Sequence, residues 1–350
     1  MAQINKPKDY FNTVLYSGTG SSNSVTGVGF QPDWTWIKSR NNTRNHNVYD
    51  SVRGTTKVIY ADLTNAESTQ ASGLTSFNSD GFTVVSDLGV NGASDNYASW
   101  NWLAGGTASS NTDGSITSSV SANTTSGFSI GTYTGNSTSG ATVGHGLSDT
   151  PDWIIVKTTS AADNWQVYHQ ALGNTSRLEL NNTDAVASST ALWNNTSPTS
   201  SVFSLGNGSV VNSSSRDYVF YAFAEKKGFS KFGKYRGNSS SDGVFVYLGF
   251  KPAMVMVKSN ATEAWEILDN KRSNSFNAVD GVLFPNLSNA EETTNDICDF
   301  LSNGIKFRHS DGRHNSSAHD TYFMAFAESA LVGTNNIPAV ARWFNYCNAQ

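Results

Sequence analysis

The chain has 350 residues and a formal net charge of -5, only 15% of its residues are charged, and its 23 Lys and Arg are scattered rather than gathered into a stripe. At roughly 100–150 residues per domain this length accommodates two or three cores. The charge pattern excludes nucleic acid and anionic membrane as natural partners. No run approaches the ~18–20 apolar residues that membrane insertion of a helix requires.

Taken in chain order, residues 1–9 form a short N-terminal segment, and "MAQINKPKDYF" has no apolar core that could act as a secretion signal, so synthesis in the cytoplasm is expected. Short runs then follow in quick succession: "NTVLYS", "VTGVGF", "WTWIK", "HNVYD", "KVIYAD", "GLTSF", "FTVVS" and "YASWNWLA". Eight runs rich in Val, Ile, Thr, Tyr and Trp, separated by Gly, Asn, Asp and Ser, are the pattern of an all-β sandwich. Asp80-Gly81 in "FNSDGFTVV" fits the tight turn of a hairpin. Asn303-Gly304 in "FLSNGIKF" repeats that signal, and "SLGNGSVV" offers Asn207-Gly208 in the same role.

The series is written three times. "PDWTWIK" at 32–38 returns as "PDWIIVK" at 151–157 and "PAMVMVK" at 252–258. A closing marker follows each copy ("NYASWNWLA", "DYVFYAFAE", "DTYFMAFAE"), so that Trp34 to Trp102, Trp153 to Phe223 and Met254 to Phe326 span 68, 70 and 72 residues. Tyr16, Tyr133 and Tyr235 open the three units, and "HNVYD", "WQVYH" and "WEILD" form a fourth marker. Repetition at a fixed period fixes the architecture before any single motif does. The expected fold is all-β, with three tandem β-sandwich modules of jelly-roll or lectin-like form at 10–105, 127–227 and 229–330, each able to fold on its own. Successive apolar residues in the heptapeptide indicate a strand covered on both faces, by its own sheet partner or by a neighbouring module. Its final Lys (Lys38, Lys157, Lys258) reads as the point where the strand meets solvent; sugar stacking by Trp34 or Trp153 is the alternative to a core role.

Between the first two units, residues 106–126 form a Ser/Thr-rich linker arm too polar to build a core. Ile116 and Val120 share one parity within it, which also allows an extended arm laid along a neighbouring surface. Residues 331–350 lie beyond the repeats and carry Trp343, Phe344 and Tyr346, the pattern of an aromatic docking tail for assembly.

Sites for chemistry are sparse. No nucleophile elbow, phosphate loop or His-Glu-x-x-His motif is present, and no carboxylate pair recurs in all three units, so neither catalytic residues nor a cofactor are expected. Cys298 and Cys347 read as free thiols, and the Asn-x-Ser/Thr sequons as a consequence of composition. "RHSDGRHNSSAHD" gathers His309, His314, His319, Asp311 and Asp320, but odd spacings alternate sides along a strand, and no metal site is expected there. Glu225 and Glu328 have no counterpart in the first unit, where Ala104 stands. Nine Trp, 13 Tyr and 19 Phe beside small hydroxyl and amide groups suit carbohydrate or protein recognition. Trp165, Trp193 and Trp265 are the rings expected near loops, as sugar platforms.

"GFQPDWTWIKSR", "FNSDGFTV", "WNWLAGGTASSNTDGSITSSVSAN" and "PDWIIVK" followed by "WQVYH" together resemble an uncharacterised, often lectin-like repeat domain of structural proteins of tailed bacteriophages, especially marine and cyanobacterial ones. The resemblance covers nearly all of 10–330 and is most specific over 100–123; the third unit departs from it at Ala253 and Met254. It implies a virion protein, made in the host cytoplasm and exposed on the particle as a tail fibre, spike or other appendage. Its expected partners are other virion proteins, a bacterial surface glycan or receptor, and copies of itself, most naturally as a homotrimer. A glycan-degrading tailspike enzyme and a capsid decoration or tail accessory protein without a ligand are the rival readings.

Overall fold

The computed structural model describes residues 3–273, 277–293 and 295–330. The protein is all-β, with 43% strand, 6% helix and several antiparallel sheets. Three large sheets repeat one strand order. In the first, Phe11–Ser17 is followed laterally by Asn96–Trp102, Trp34–Ser39, Asn47–Asp50, Lys57–Tyr60 and Ser68–Thr69. The second places Phe128–Thr134, Asp217–Phe223, Trp153–Thr158, Gln166–His169 and Ser176–Glu179 in the same order, and the third places Ser230–Arg236, Asp320–Ala330, Phe250–Ser259 and Glu266–Asp269. Trp34, Trp153 and Met254 stand opposite Trp102, Phe223 and Phe326 on equivalent ladders. The heptapeptide copies therefore occupy equivalent interior strands.

A small sheet accompanies each large one: Asn23–Thr26 with Gly81–Val84 and Leu74–Asn78, then Ala141–Gly144 with Val202–Leu205, then Phe245–Tyr247 with Gly304–Phe307 and Cys298–Leu301. Strand alternation explains the continuous apolar runs. Ile37, Ile154 with Val156, and Val255 with Val257 face outward onto their own small sheets, in three separate outer clusters. Trp34 and Trp36, Trp153 and Ile155, and Met254 and Met256 face the other way, into one central cluster drawn from all three repeats. Trp34 stacks on Tyr221 of the second repeat at 4.5 Å between ring centroids, and Phe326 of the third lies 5.5 Å from Trp102 and 5.8 Å from Phe223. The expectation of separately folding units thus meets a core that no repeat owns.

Recurrent polar ties hold the outer turns. Asn91, Asn212 and Asn315 end four-residue helical turns and are fully buried. Each amide donates to two carbonyls, for example Asn212 to Thr138 and Gly206 at 3.0 and 2.8 Å, which satisfies loop backbone inside the fold. Asp33 and Asp152, the acids of "PDW", accept from the Ala104 and Glu225 amides just beyond the closing strands at 2.8 and 2.6 Å. The third repeat lacks this clamp because Ala253 stands in its place, and register shifts flank Pro252 there.

Three expectations change. The linker arm is sheet: Ser118–Asn123 pairs along Phe128–Thr134, Ser109–Asn111 pairs along Ser118–Asn123, and Ile116 and Val120 bury in the second outer cluster. The laid-down arm was the better of the two readings, because its apolar parity had a neighbouring core to fill. Asp80-Gly81 and Asn303-Gly304 do close hairpins, but Asn207-Gly208 leads into the helical turn Ser209–Asn212, since the second small sheet ends at Leu205 with two strands. Finally, Lys38, Lys157 and Lys258 do not reach solvent; all three are buried. The assembly residues Trp343, Phe344 and Tyr346, with Cys347, lie outside the described residues.

Candidate functional site at the seams between repeats

The repeats meet cyclically. The Glu67 amide donates to the Thr159 carbonyl, Val186 to Asn260 and Glu291 to Arg40, at 2.8, 3.2 and 2.7 Å. Repeat one thus docks on two, two on three and three on one, through the residue two beyond each heptapeptide Lys. Those lysines explain the docking site. Lys157 Nζ donates to Thr158, Ala161 and Thr64 carbonyls, the last from the first repeat. Lys258 does the same with Ser259, Ala261 and Thr183 of the second repeat, and Lys38 with Ser39 and Asn42. Burial pulls the pKa of each down to about 8, nearby acids such as Asp62 and Glu291 opposing this at Lys38. An ammonium with three donors and no acceptor can cap several loop carbonyls at once from a single point.

Two of the three residues expected as sugar platforms serve the same seams. Trp165 and Trp265 are 1% and 0% exposed, and their indoles reach across to donate to the carbonyls of Tyr60 and Glu179, each at 2.9 Å. Trp193 is also buried, in the turn Thr190–Trp193, edge-on to Tyr168. None of the three presents a face to solvent. An aromatic ring with one polar end fits a seam as well as it fits a loop, because the ring fills the core while the N–H satisfies foreign backbone.

Two seams hold buried ion pairs. Asp50 binds Arg53 at 2.5 Å and takes the Tyr221 hydroxyl of the second repeat at 2.7 Å; Arg53 also reaches Glu67 at 3.1 Å. Asp269 binds Arg272 at 2.6 Å and takes the Trp100 indole N–H of the first repeat at 2.9 Å, while Arg272 also binds Glu291 at 2.6 Å and lies over the Trp100 ring. At the equivalent third position stand His169 and Leu172; the His169 ring lies 5.3 Å from Tyr322 of the third repeat with its Nε2 3.4 Å from the Phe323 carbonyl, and Met324 holds the ladder position of Trp100 and Tyr221. His169 is held neutral, burial lowering its pKa to about 4. The acid, the arginine and the cross-seam donor are present together or absent together, as a desolvated ion pair requires. "DSVR" and "DNKR" against "HQAL" carried that signal in the sequence.

On the seam of repeats one and two lies a cleft of about 540 Å³, walled by Arg53 and Glu67, by Thr117 and Ser119 of the arm, and by Thr132, Asp217 and Tyr218. Arg53 is committed to Asp50, Glu67 and the carbonyls of Val48 and Lys57, so it is not free to take an anion. What remains is a lining of hydroxyls and the carboxylates of Glu67 and Asp217, the latter accepting from Thr134 at 2.8 Å. Such a lining suits a neutral polyhydroxylated ligand better than an anionic one.

The other sequence candidates disperse. His314 bonds Glu266 at 2.8 Å, His319 bonds Asn260 at 3.1 Å, Asp311 holds Arg313 at 2.8 Å, and Asp320 pairs with Lys234 and Arg236 at 3.0 and 2.6 Å. Among the described residues no three His, Cys, Asp or Glu converge as a metal set. Glu225 and Glu328 sit in different repeats and bind Lys231 and Lys251 at 3.2 and 2.7 Å. No helix among the described residues is long and apolar enough to cross a membrane.

Fold and seams together define an all-β protein of three sequence repeats closed around one aromatic core. The chain belongs to the DUF7483 family, a domain of unknown function, whose model matches residues 6–330 as one unit. No curated protein matches it.

Proposed function

We propose that this chain is a bacteriophage virion protein, a tail fibre, spike or surface appendage whose three β-sandwich modules present a rigid binding surface to a host glycan or receptor, and that it acts by binding rather than turnover. The observation that carries this reading is the division of labour between inside and outside. Among the described residues, nearly all large aromatic rings are committed to the central and outer clusters, while the outward positions are dominated by Ser, Thr, Asn, Asp and Gly. A protein that must hold its shape outside a cell and meet a hydrated polysaccharide needs that combination. Proximity of the modules supports it further, since weak contacts gain by being presented together. The hydroxyl-lined cleft at the seam of repeats one and two is one such contact, and its arginine is fully paired.

Mass spectrometry of gradient-purified particles, with immunogold labelling of intact ones, tests the placement. The chain is expected in the particles with gold on their outside. Its absence from them overturns the reading. Sustained release of reducing ends from host envelope polysaccharide, above a heat-inactivated control, overturns the non-catalytic part alone.

A further inference from the structure

Among the described residues, Phe245 and Tyr247 are 45% and 56% exposed. They sit on the edge strand Phe245–Tyr247 of the third small sheet, on either side of buried Val246. Residues two apart on a strand share a face, so the two rings point outward together, roughly 6.6 Å apart along the chain. Neither ring enters any of the four hydrophobic clusters. At the matching positions the first repeat has Ser24 and Thr26 around buried Val25, and the second has Thr142 and Gly144 around buried Val143. The register is the same in all three: Val25, Val143 and Val246 oppose Phe82, Phe203 and Ile305.

Opposite Tyr247 the sheet carries Gly304, and a Cβ there would come within 2.9 Å of the distal edge of the Phe245 ring, so that ring reaches over the glycine. Covering a glycine does not by itself account for the ring, because Gly81 holds the same place in repeat one opposite Thr26, with Ser24 where Phe245 stands. Polar groups flank the pair. Lys306 stands across from Phe245 and binds Asp242 at 2.6 Å, whose side chain is 85% exposed and offers free carboxylate lone pairs. Next on the face, Asp299 is held by Arg308.

We propose that Phe245 and Tyr247 form a stacking platform for a pyranose ring, with Asp242 and Lys306 as the hydrogen-bonding rim. The proposal rests on the glycan-binding reading above and gives it a place. Size fixes the class of ligand. Two rings of roughly 150–250 Å² each, about half exposed, present on the order of 200 Å². A stable protein partner needs about 800 Å² per side. An exposed aromatic surface of this size with a carboxylate at its rim matches the apolar face and hydroxyl edge of one sugar.

Saturation-transfer NMR on the full chain tests it, using the methyl pyranosides of glucose, galactose, mannose, rhamnose and N-acetylglucosamine at 10 mM as probes. At least one is expected to bind with millimolar affinity. Binding should weaken at least tenfold in F245S/Y247T, which installs the residues the first repeat already tolerates, and should persist in F245W/Y247W. An unchanged thermal midpoint in both variants excludes unfolding as the cause. Binding that F245S/Y247T leaves intact overturns the platform while leaving the receptor reading standing. Binding of no probe overturns the platform, and loss of particle attachment to cells without any sugar signal would point to a protein receptor. A platform covered by residues 331–350 would show itself as binding seen only in a chain ending at Ala330, which also overturns the proposal for the intact protein.

Discussion

The indole N–H of Trp100 donates to the carboxylate of Asp269 at 2.9 Å, across 169 residues of chain. The bond joins the first repeat to the third, and with it the three repeats close into a ring. Asp269 is fully buried and also holds Arg272. A hydrogen bond to a charged group contributes about 1.5–3 kcal/mol. Trp100→Phe is therefore expected to lower stability by roughly that amount, whereas Met324→Leu, at the equivalent but uncharged seam, should cost under about 1.5 kcal/mol. Urea titration of both variants compares them directly.

The arginine at this seam gives a sharper contrast. Arg272→Leu leaves Asp269 buried without its cation, Glu291 keeping Arg40, and breaking such a pair costs about 3–5 kcal/mol. The second repeat shows the neutral solution at the same place, His169 with Leu172. Adding Asp269→His to Arg272→Leu should therefore recover part of the loss. A double variant no more stable than Arg272→Leu would show that the ion pair is not what the seam depends on.

Much of this was legible in the sequence and some was not, for physical reasons. The equivalence of the three heptapeptide strands followed from the markers, because buried alternation and hairpin turns are local. Continuous apolarity in "DWIIVK" announced two covered faces, and both are covered. Period-two pattern cannot say whether the second cover is solvent-side loop or another repeat, so Trp165 and Trp265 looked available when they are pegs across a seam. The buried lysines were hidden for a different reason. Their partners are loop carbonyls, which every residue carries and no sequence displays.

Those lysines predict a pH response. Unfolded Lys titrates near 10.4, and Lys38, Lys157 and Lys258 are pulled to about 8 by burial in the folded protein. Between about pH 8 and 10 the unfolded chain binds more protons, so stability rises with pH in that window. Below pH 8 both states carry the charge and the contribution is flat. Above about 10 buried tyrosines such as Tyr133 and Tyr235, whose pKa values burial raises, reverse the trend. The urea midpoint should climb from pH 7.5 to 9.5 by an amount equivalent to about 1–2 kcal/mol per lysine. K38M/K157M/K258M should flatten the slope, and a wild-type midpoint that falls across this range contradicts the assignment.

The shared core predicts that a single repeat does not fold. Trp34, Trp36, Trp100 and Trp102 of the first repeat all enter the central cluster. Each buries roughly 150–250 Å², worth about 4–6 kcal/mol at about 25 cal/mol per Å². Two such rings left in water already match the whole stability of a typical domain, about 5–15 kcal/mol. Residues 10–105 alone are expected to give a collapsed, dye-binding or aggregating species without dispersed amide resonances, while residues 3–330 fold cooperatively in one transition. A well-dispersed spectrum from the isolated repeat would show that the outer cluster suffices.

Assembly is the last prediction. The chain is proposed to act as a homotrimer on a larger particle, with Trp343, Phe344 and Tyr346 as contacts, a role read from the sequence alone because they lie outside the described residues. The ring of repeats sharpens the question, since one chain already presents three modules and gains part of the avidity that oligomers supply. Between copies, effective concentration still adds about 10²–10⁴ in apparent affinity where several sites engage one surface. The Ser/Thr-rich arm, the other segment outside the three units, is built into the second sheet. Contacts should therefore reside in the tail. Light scattering of the full chain at micromolar concentration is expected to report three copies, and a chain ending at Ala330 to report one. Monomers in both cases, together with no self-contact in the particle, would refute the trimer, and trimers in both would move the contact from the tail to the body of the ring.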